Sequence, residues 1–159
     1  MAATNLNHVS VCAPDLAESI RFYRRLLGVE PVPTPNFGFP VQWLRVGPLQ
    51  LHLFERPGEG PQYHHLGITV DDFEAVYRTA AELDVFDRTT FGHHLYELPG
   101  NNVQLYVRDP GGNLVEIDWP DVTTLPDDIR ADMKRMEDRF PQTEDNMRAT
   151  LFLEGAPTR

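Results

Sequence analysis

The sequence has one cysteine and one lysine, and each scarcity excludes a class of protein. Cys12 has no second cysteine to pair with, so an internal disulfide is excluded. Lys134 is the only lysine and the formal net charge is −10, which leaves no basic footprint for nucleic acid. No apolar run is long enough to cross a bilayer and no signal-peptide pattern is present. We therefore expect a cytoplasmic protein without a membrane partner.

The composition is that of a globular protein, and the chain contains two similar halves. Hydrophobic residues make up 41% of the 159 positions, enough for one ordinary domain or two small repeats that share a core. Residues 6–55 and 63–119 each open with a strand-like run, pass through an acidic turn into an amphipathic helix, and close with another strand-like run. The proline- and glycine-rich stretch 56–61 links the halves.

Strand alternation predicts that one polar side chain from each of four runs faces a common cavity. Successive strand residues point to opposite faces, so His8 and His52 lie opposite their apolar neighbours. The same alternation selects His65 rather than His64, and it selects Glu116 in the last run. A fold that pairs the halves brings these side chains together. Two histidines and one carboxylate are a common ligand set for a divalent metal with open positions.

Two helices are predicted to cover the apolar faces of the strands. Asp15 is suited to cap a helix that runs to Leu27, and Gly28 is suited to end it. A second helix is expected from about Asp72 to Leu83, because apolar residues recur there at helical spacing.

The internal similarity ends after Trp119, and residues 121–159 are expected to form a C-terminal helical extension. Residues 127–140 carry an apolar stripe at helical spacing, made by Ile129, Met133, Met136 and Phe140. Residues 149–153 are expected to add a short strand. The extension either covers core or dimer surface or forms a lid over the cavity.

Three stretches carry a resemblance to a known family. They are residues 7–11, 65–72 and 106–116, which read NHVSV, HLGITVDD and YVRDPGGNLVE. Over residues 6–119, about three quarters of the chain, the sequence resembles the vicinal oxygen chelate superfamily. This superfamily includes glyoxalase I, methylmalonyl-CoA epimerase, fosfomycin-resistance enzymes, bleomycin-resistance proteins and type I extradiol dioxygenases.

The resemblance implies an α+β fold and a metal site. Two βαβββ modules, at about 6–55 and 63–119, would form a paired domain over residues 1–120, with a cup-shaped mixed sheet around the metal. His8, His65 and Glu116 stand where the family has its metal ligands. Fe²⁺ is the favoured ion, with Mn²⁺, Zn²⁺ or Ni²⁺ as alternatives, because the same ligands accept several metals. The resemblance also implies a homodimer.

A fourth position distinguishes the branches of the family. Glyoxalases and epimerases place a Glu or Gln ligand where His52 stands. Extradiol dioxygenases instead have an acid/base histidine in about this region, a further histidine where His94 stands, and a tyrosine where Tyr106 stands. His52 is left open between an acid/base group, a fourth ligand and a cavity wall. His94 is alternatively a polar rim residue, and Tyr106 a core tyrosine.

These residues together predict a divalent-metal-dependent enzyme, most consistent with an extradiol ring-cleaving dioxygenase acting on a catechol-like aromatic. His52, His94 and Tyr106 would be its catalytic residues. A small-molecule substrate would chelate the metal through two adjacent oxygens. The alternatives are a lyase, isomerase or thiol transferase of glyoxalase or fosfomycin-resistance type, and a metal-free bleomycin-binding protein. The aromatic residues Phe37, Phe39 and Trp43 either wall an apolar pocket or pack in the core.

Overall fold

The chain folds as two consecutive βαβββ modules followed by a C-terminal segment. A computed structural model describes residues 6–58, 60–149 and 151–152. The first module comprises β1 (His8–Cys12), α1 (Leu16–Leu27), β2 (Glu30–Val32), β3 (Val41–Val46) and β4 (Leu49–Phe54). The second comprises β5 (His65–Thr69), α2 (Phe73–Glu82), β6 (Leu95–Glu97), β7 (Val103–Arg108) and β8 (Leu114–Trp119). The predicted α+β class and element order are confirmed.

Each module contributes one sheet. The first has the strand order β1-β4-β3-β2, in which β1 runs parallel to β4 and the other neighbours are antiparallel. Its register sets His8 opposite Gln50, and His52 opposite both Ser10 and Trp43. The second has the order β5-β8-β7-β6-β9, in which β9 is the two-residue strand Lys134–Arg135 of the C-terminal segment. Over the described residues, no helix is long and apolar enough to cross a membrane.

Helix α1 begins and ends where its capping residues predict. The Asp15 carboxylate accepts a hydrogen bond from the Glu18 backbone N–H at 2.8 Å, which satisfies one of the unpaired donors of the first turn. Gly28 adopts a φ of +62°, which a residue without Cβ tolerates at low cost, and its N–H donates to the Arg24 carbonyl. The helix buries Phe22, Tyr23 and Leu26, and it lies against β3 and β4.

Helix α2 follows the same design in the second module. The Asp72 carboxylate accepts from the Ala75 backbone N–H at 3.0 Å and caps its first turn. One face of the helix is buried, consisting of Phe73, Val76, Tyr77 and Ala80. The inward residues of the strands are buried as well, among them Val103, Leu105, Val115 and Ile117.

The described residues divide into two compact units that do not coincide with the modules. One unit contains residues 6–66 and Arg108–Leu114, and the other contains Gly67–Val107 and residues 115–152. The turn after β7 belongs to the first unit through hydrogen bonds. The Tyr23 hydroxyl donates to Asp109 Oδ2 at 2.8 Å, and Asn113 Nδ2 donates to the Cys12 carbonyl at 2.7 Å.

The single helix predicted for residues 127–140 is wrong. The structure has α3 (Asp127–Ala131), a two-residue strand β9 (Lys134–Arg135) and α4 (Met136–Arg139). β9 pairs in parallel with β6, so hydrogen bonding to the sheet edge replaces helical bonds in the middle of the stripe. The predicted apolar stripe therefore does not form one buried helix face, because Ile129 is fully buried whereas Phe140 is 54% exposed. The strand predicted for residues 149–153 is not formed at its described positions 149, 151 and 152, and residues 153–159 lie outside the described residues.

Candidate metal and catalytic site

Two of the predicted metal ligands, His8 and His65, share a tautomer suited to coordination. Each is the exposed first residue of its strand. His8 Nδ1 lies 2.5 Å from Asn7 Oδ1, and His65 Nδ1 lies 2.8 Å from the Tyr63 carbonyl oxygen. Since both partners are acceptors, both rings donate from Nδ1, and the lone pair is on Nε2. Metal-binding histidines are usually oriented in this way by a bond from the other ring nitrogen.

His52 is bonded through its opposite nitrogen. Its ring stacks on His8 with centroids 4.3 Å apart and planes 12° from parallel. Its Nε2 donates to Gln50 Oε1 at 2.8 Å, which leaves Nδ1 as the basic atom. Burial lowers the pKa of His52, and the neighbouring His8 lowers it further. His52 is therefore neutral near pH 7 and able to accept a proton.

An aromatic cluster continues from the other face of His52. Trp43 stacks on the His52 ring at 4.4 Å, and Phe37 lies 6.0 Å from the Trp43 ring. The further members are Phe39, Phe54 and the guanidinium of Arg56, which lies 3.9 Å above the Phe39 ring. Trp43 Nε1 is buried and has no hydrogen-bond partner among the described residues. Phe37 is 45% exposed, so the cluster presents apolar surface rather than being closed core.

Glu116, the predicted carboxylate ligand, belongs to a buried polar group in the second unit. Glu116 and Asp118 are both buried and stand two residues apart on β8, on the same face of the strand. Burial raises the pKa of Asp118 to about 8, and the charge of Glu116 adds to this effect. Tyr106 donates to Gln104 Oε1 at 2.9 Å, and burial together with Glu116 raises the pKa of the Tyr106 phenol. The tyrosine therefore remains a hydrogen-bond donor.

This group is suited to a cation. Ionising two carboxyl groups that are buried side by side costs free energy, and a bound metal ion would reduce this cost by compensating their negative charge. Gly67 keeps the neighbouring position small: a Cβ built there would lie 3.0 Å from Asp118 Oδ2 and 3.6 Å from Glu116 Oε1. The donor types and their tautomers thus fit a divalent metal. His8 and His65 belong to one unit and Glu116 to the other, so their joint binding of one ion stays a prediction.

His94 lies among different partners from those of Tyr106. The Tyr106 hydroxyl donates to Gln104 and its pKa is raised by Glu116. The His94 ring stacks on Phe86 at 4.2 Å, and its Nε2 donates to Asp132 Oδ2 at 2.8 Å. Burial lowers the pKa of His94, an effect partly opposed by Asp132. The catalytic role predicted for His94 stays a prediction, and its observed contacts include Phe86 and, in the C-terminal segment, Asp132.

Three polar residues of these groups were not predicted from the sequence. They are Gln50, Gln104 and Asp118, which bond or contact His52, Tyr106 and Glu116 respectively. Each stands two residues from its partner on the same strand. Residues two apart on a strand share a face, so the alternation that selected His52, Tyr106 and Glu116 also indicated that these three neighbours lie beside them.

Comparison with known proteins connects this arrangement to a family. Residues 5–117 match the model of the Glyoxalase/Bleomycin resistance protein/Dioxygenase superfamily. The chain is 28% identical over 131 residues to a mitochondrial methylmalonyl-CoA epimerase of Bos taurus, covering 71% of this chain and 73% of the relative. It is 29% identical over 125 residues to Glyoxylase I 4 of Arabidopsis thaliana, covering 72% of this chain and 70% of that protein.

Solved structures show the same fold. A lactoylglutathione lyase from Agrobacterium tumefaciens aligns with a TM-score of 0.57 at 22% identity, covering 74% of this chain and 94% of that one. A fosfomycin resistance protein from Listeria monocytogenes aligns with a TM-score of 0.61 at 14% identity, covering 77% of this chain and 96% of that one. With its two βαβββ modules and a family match that spans both of them, the chain belongs to the Glyoxalase/Bleomycin resistance protein/Dioxygenase superfamily.

Proposed function

We propose that the protein is a divalent-metal-dependent enzyme that moves a proton at a carbon next to a carbonyl, as lyases and isomerases do. The observation that carries the proposal is the stack of His8 and His52 at 4.3 Å. One ring is oriented as a ligand through Nδ1 and the other as an acid/base group through Nε2. A ligand next to a proton acceptor is the arrangement that this chemistry needs. The names of the two curated relatives, an epimerase and a glyoxylase, support the same class.

In the proposed site, His8, His65 and Glu116 hold the metal. The metal supplies Lewis-acid stabilisation of the oxygens on which negative charge develops. His52 accepts the proton at Nδ1, while Gln50 fixes the orientation of its ring through the 2.8 Å bond to Nε2. Because protonation gives the ring a second N–H donor, His52 can return the proton to a neighbouring atom.

The aromatic cluster is proposed to receive the apolar part of the substrate. Phe37 and Trp43 form a surface that begins at the His52 ring, so a substrate held there has its reacting carbon close to His52. The substrate class is therefore a small molecule with two adjacent oxygens and an apolar substituent.

A ring-cleaving extradiol dioxygenase is the second candidate, and the aromatic cluster favours it because a catechol is flat and aromatic. In that case the metal is Fe²⁺, the co-substrate is O₂, and His52 moves the catechol proton while Tyr106 donates a hydrogen bond. A thiol transferase of fosfomycin-resistance type and a metal-free binder stay as further alternatives. A homodimer and a cytoplasmic location are also retained as proposals.

The test begins with metal content, measured on protein purified without oxygen. Lactoylglutathione and methylmalonyl-CoA, the compounds named by the relatives, are then incubated with it in D₂O, and deuterium incorporation next to the carbonyl is followed by NMR. Oxygen uptake with substituted catechols is measured in parallel. Isotope exchange without oxygen uptake supports the first candidate, and uptake by an iron-loaded protein supports the second.

A matched pair of variants shows whether the metal site is the predicted one. His65→Ala should remove metal and activity, whereas His64→Ala, which changes the adjacent exposed histidine, should leave both intact. Equal behaviour of the two variants contradicts the ligand assignment. A protein that takes up no metal on reconstitution contradicts the enzyme proposal and favours the binding protein.

A further inference from the structure

The second unit contains another group of metal-ligating side chains, made by His93, His94 and Asp132. One ligand atom from each residue lies within 4.8 Å of the other two. His94 Nε2 is 2.8 Å from Asp132 Oδ2, and His93 Nε2 is 2.6 Å from the Asp132 backbone carbonyl oxygen. These three residues are distinct from His8, His65 and Glu116.

The spacing of these atoms is close to that of ligands on one ion. Zinc–nitrogen and zinc–oxygen bonds of roughly 2.0–2.2 Å place neighbouring ligand atoms roughly 3–3.5 Å apart. The pair formed by His94 Nε2 and Asp132 Oδ2, at 2.8 Å, is already inside this separation, and the pairs that involve His93 lie within 4.8 Å and must close. Asp132 has the freedom to adjust, since its side chain is 38% exposed.

Two contacts hold this group in place without a metal. His94 is 2% exposed, and its ring is packed on Phe86 at 4.2 Å, so it has little room to rotate. The Tyr77 hydroxyl donates to Asp132 Oδ2 at 2.6 Å, which orients the carboxylate towards the histidines. Hydrogen bonds of this kind commonly support metal-binding carboxylates.

The hydrogen bonds of His94 show which of its atoms a metal would take. Asp132 Oδ2 is a carboxylate oxygen, so His94 donates to it from Nε2, and the lone pair of the neutral ring is on Nδ1. His94 Nδ1 is buried and has no hydrogen-bond partner among the described residues. A metal ion bound between Nε2 and the carboxylate would take the place of the Nε2 proton, since a ligating histidine is neutral and metal binding releases protons.

We propose that His93, His94 and Asp132 bind a divalent transition-metal ion such as Zn²⁺, with solvent completing its coordination. Nitrogen and carboxylate ligands suit Zn²⁺, which is usually tetrahedral in protein sites. This site is independent of the proposed enzymatic function, and its failure would not affect that proposal.

The location of the group indicates what the ion would do. His93 and His94 directly precede β6, and Asp132 is the C-cap of α3, two residues before β9. β9 pairs with β6 through Tyr96 opposite Lys134 and Glu97 opposite Arg135, which is a very short ladder. The ion would therefore link the C-terminal segment to the edge of the second sheet and stabilise the short β6–β9 pairing, which is weak by itself.

The test is Zn²⁺ binding to the full-length protein after chelator treatment, followed by calorimetry. The wild-type chain should bind two ions. His93→Ala and Asp132→Asn should each bind one, and His65→Ala should lose the other. Asp138→Asn, an exposed carboxylate of the same segment, is the matched control and should still bind two. A His93→Ala protein with undiminished stoichiometry overturns the second site, whereas an undiminished His65→Ala protein overturns only the proposed catalytic ligands.

Hydrogen exchange provides a readout that metal counting does not. Zn²⁺ should slow exchange of the amides of residues 127–139 in the wild type and in His65→Ala, and it should have no such effect in His93→Ala. Melting curves of the metal-free variants should match that of the wild type, which shows that they fold. Equal exchange with and without Zn²⁺ in the wild type contradicts a structural role for the ion.

Discussion

His8 and His52 stack face to face, with ring centroids 4.3 Å apart, and they are hydrogen-bonded through opposite ring nitrogens. Because stacking fixes the planes and the hydrogen bonds fix the tautomers, the two imidazoles have different chemical capacities although they are neighbours. His8 has its lone pair on Nε2, and His52 has its lone pair on Nδ1. The parallel pairing of β1 with β4 produces this contact, since Ser10 lies opposite His52 and His8 lies one step further along the face.

Replacement of His52 by Gln should separate proton transfer from metal binding. The variant should keep its metal, because His52 is not one of the proposed ligands, and should lose roughly 10²–10⁴-fold in turnover, the usual contribution of a positioned acid/base group. Metal analysis and kcat on the substrate that shows exchange provide the measurement. His64→Gln, which makes the same change at an exposed histidine outside the proposed site, is the control and should retain the turnover. Undiminished turnover in His52→Gln would mean that the residue is a cavity wall.

The two buried carboxylates of β8 should respond differently to conversion into amides. Glu116→Gln removes the proposed carboxylate ligand, so metal affinity should fall by more than the roughly 10–100-fold loss seen when only a supporting group is removed. Asp118→Asn keeps the ligand and replaces a carboxyl group that is largely neutral near pH 7, because its pKa is raised to about 8, so the metal should be retained at close to one ion in this site. Competition with a chelating dye measures both affinities. Greater metal loss in Asp118→Asn than in Glu116→Gln would reverse the assignment of the ligand.

Tyr23→Phe should destabilise the fold without altering the proposed site. The Tyr23 hydroxyl donates to the buried Asp109 carboxylate at 2.8 Å, and its removal leaves that carboxylate short of one donor. The cost should be about 1–3 kcal/mol of unfolding free energy. Denaturation in urea measures it, with Tyr63→Phe as the control because Tyr63 is 57% exposed. Equal midpoints for the two variants would show that the buried bond contributes nothing net.

Asp87 should contribute to stability at neutral pH and lose that contribution in acid. Burial acts to raise the pKa of Asp87, but hydrogen bonds from Thr90 and Thr89 outweigh it and hold the pKa well below the ordinary value. A folded-state pKa below the unfolded one near 3.9 means that the stabilisation is present above about pH 4 and is lost as pH falls further. Asp87→Asn should therefore lower stability at pH 7 by about 1–3 kcal/mol and flatten its pH dependence below pH 4. Urea midpoints from pH 2.5 to pH 7 measure both effects, and parallel pH curves for variant and wild type would contradict the assignment.

The sequence predicted the parts of the fold that depend on local signals. Asp15 and Gly28 marked both ends of α1, and the alternation predicted for β1 and β5 is seen in their burial, since His8 and His65 are exposed and the apolar residues that follow them are less so. The predicted C-terminal helix is interrupted because Lys134 and Arg135 pair with β6. This pairing joins segments that are distant in the sequence, so the helical spacing of apolar residues does not predict it.

The partners of the candidate site were less accessible from the sequence. Strand alternation puts Gln50 and His52 on the same face of β4. The hydrogen bond between them depends on their side-chain rotamers, which alternation does not specify. The contacts of His94 with Phe86 and Asp132 join segments separated by up to 38 positions, so their meeting is a property of the tertiary structure.

The β7–β8 turn has a consequence for how this protein can be divided. The chain passes between the two compact units after Leu66, after Val107 and after Leu114, so no single cut separates one unit from the other. A fragment that ends at the linker lacks Asp109 and Asn113, the partners of Tyr23 and Cys12. The first half of the polypeptide therefore requires residues 108–114 of the second half to complete its compact unit, whereas the second unit is made entirely by residues of the second half.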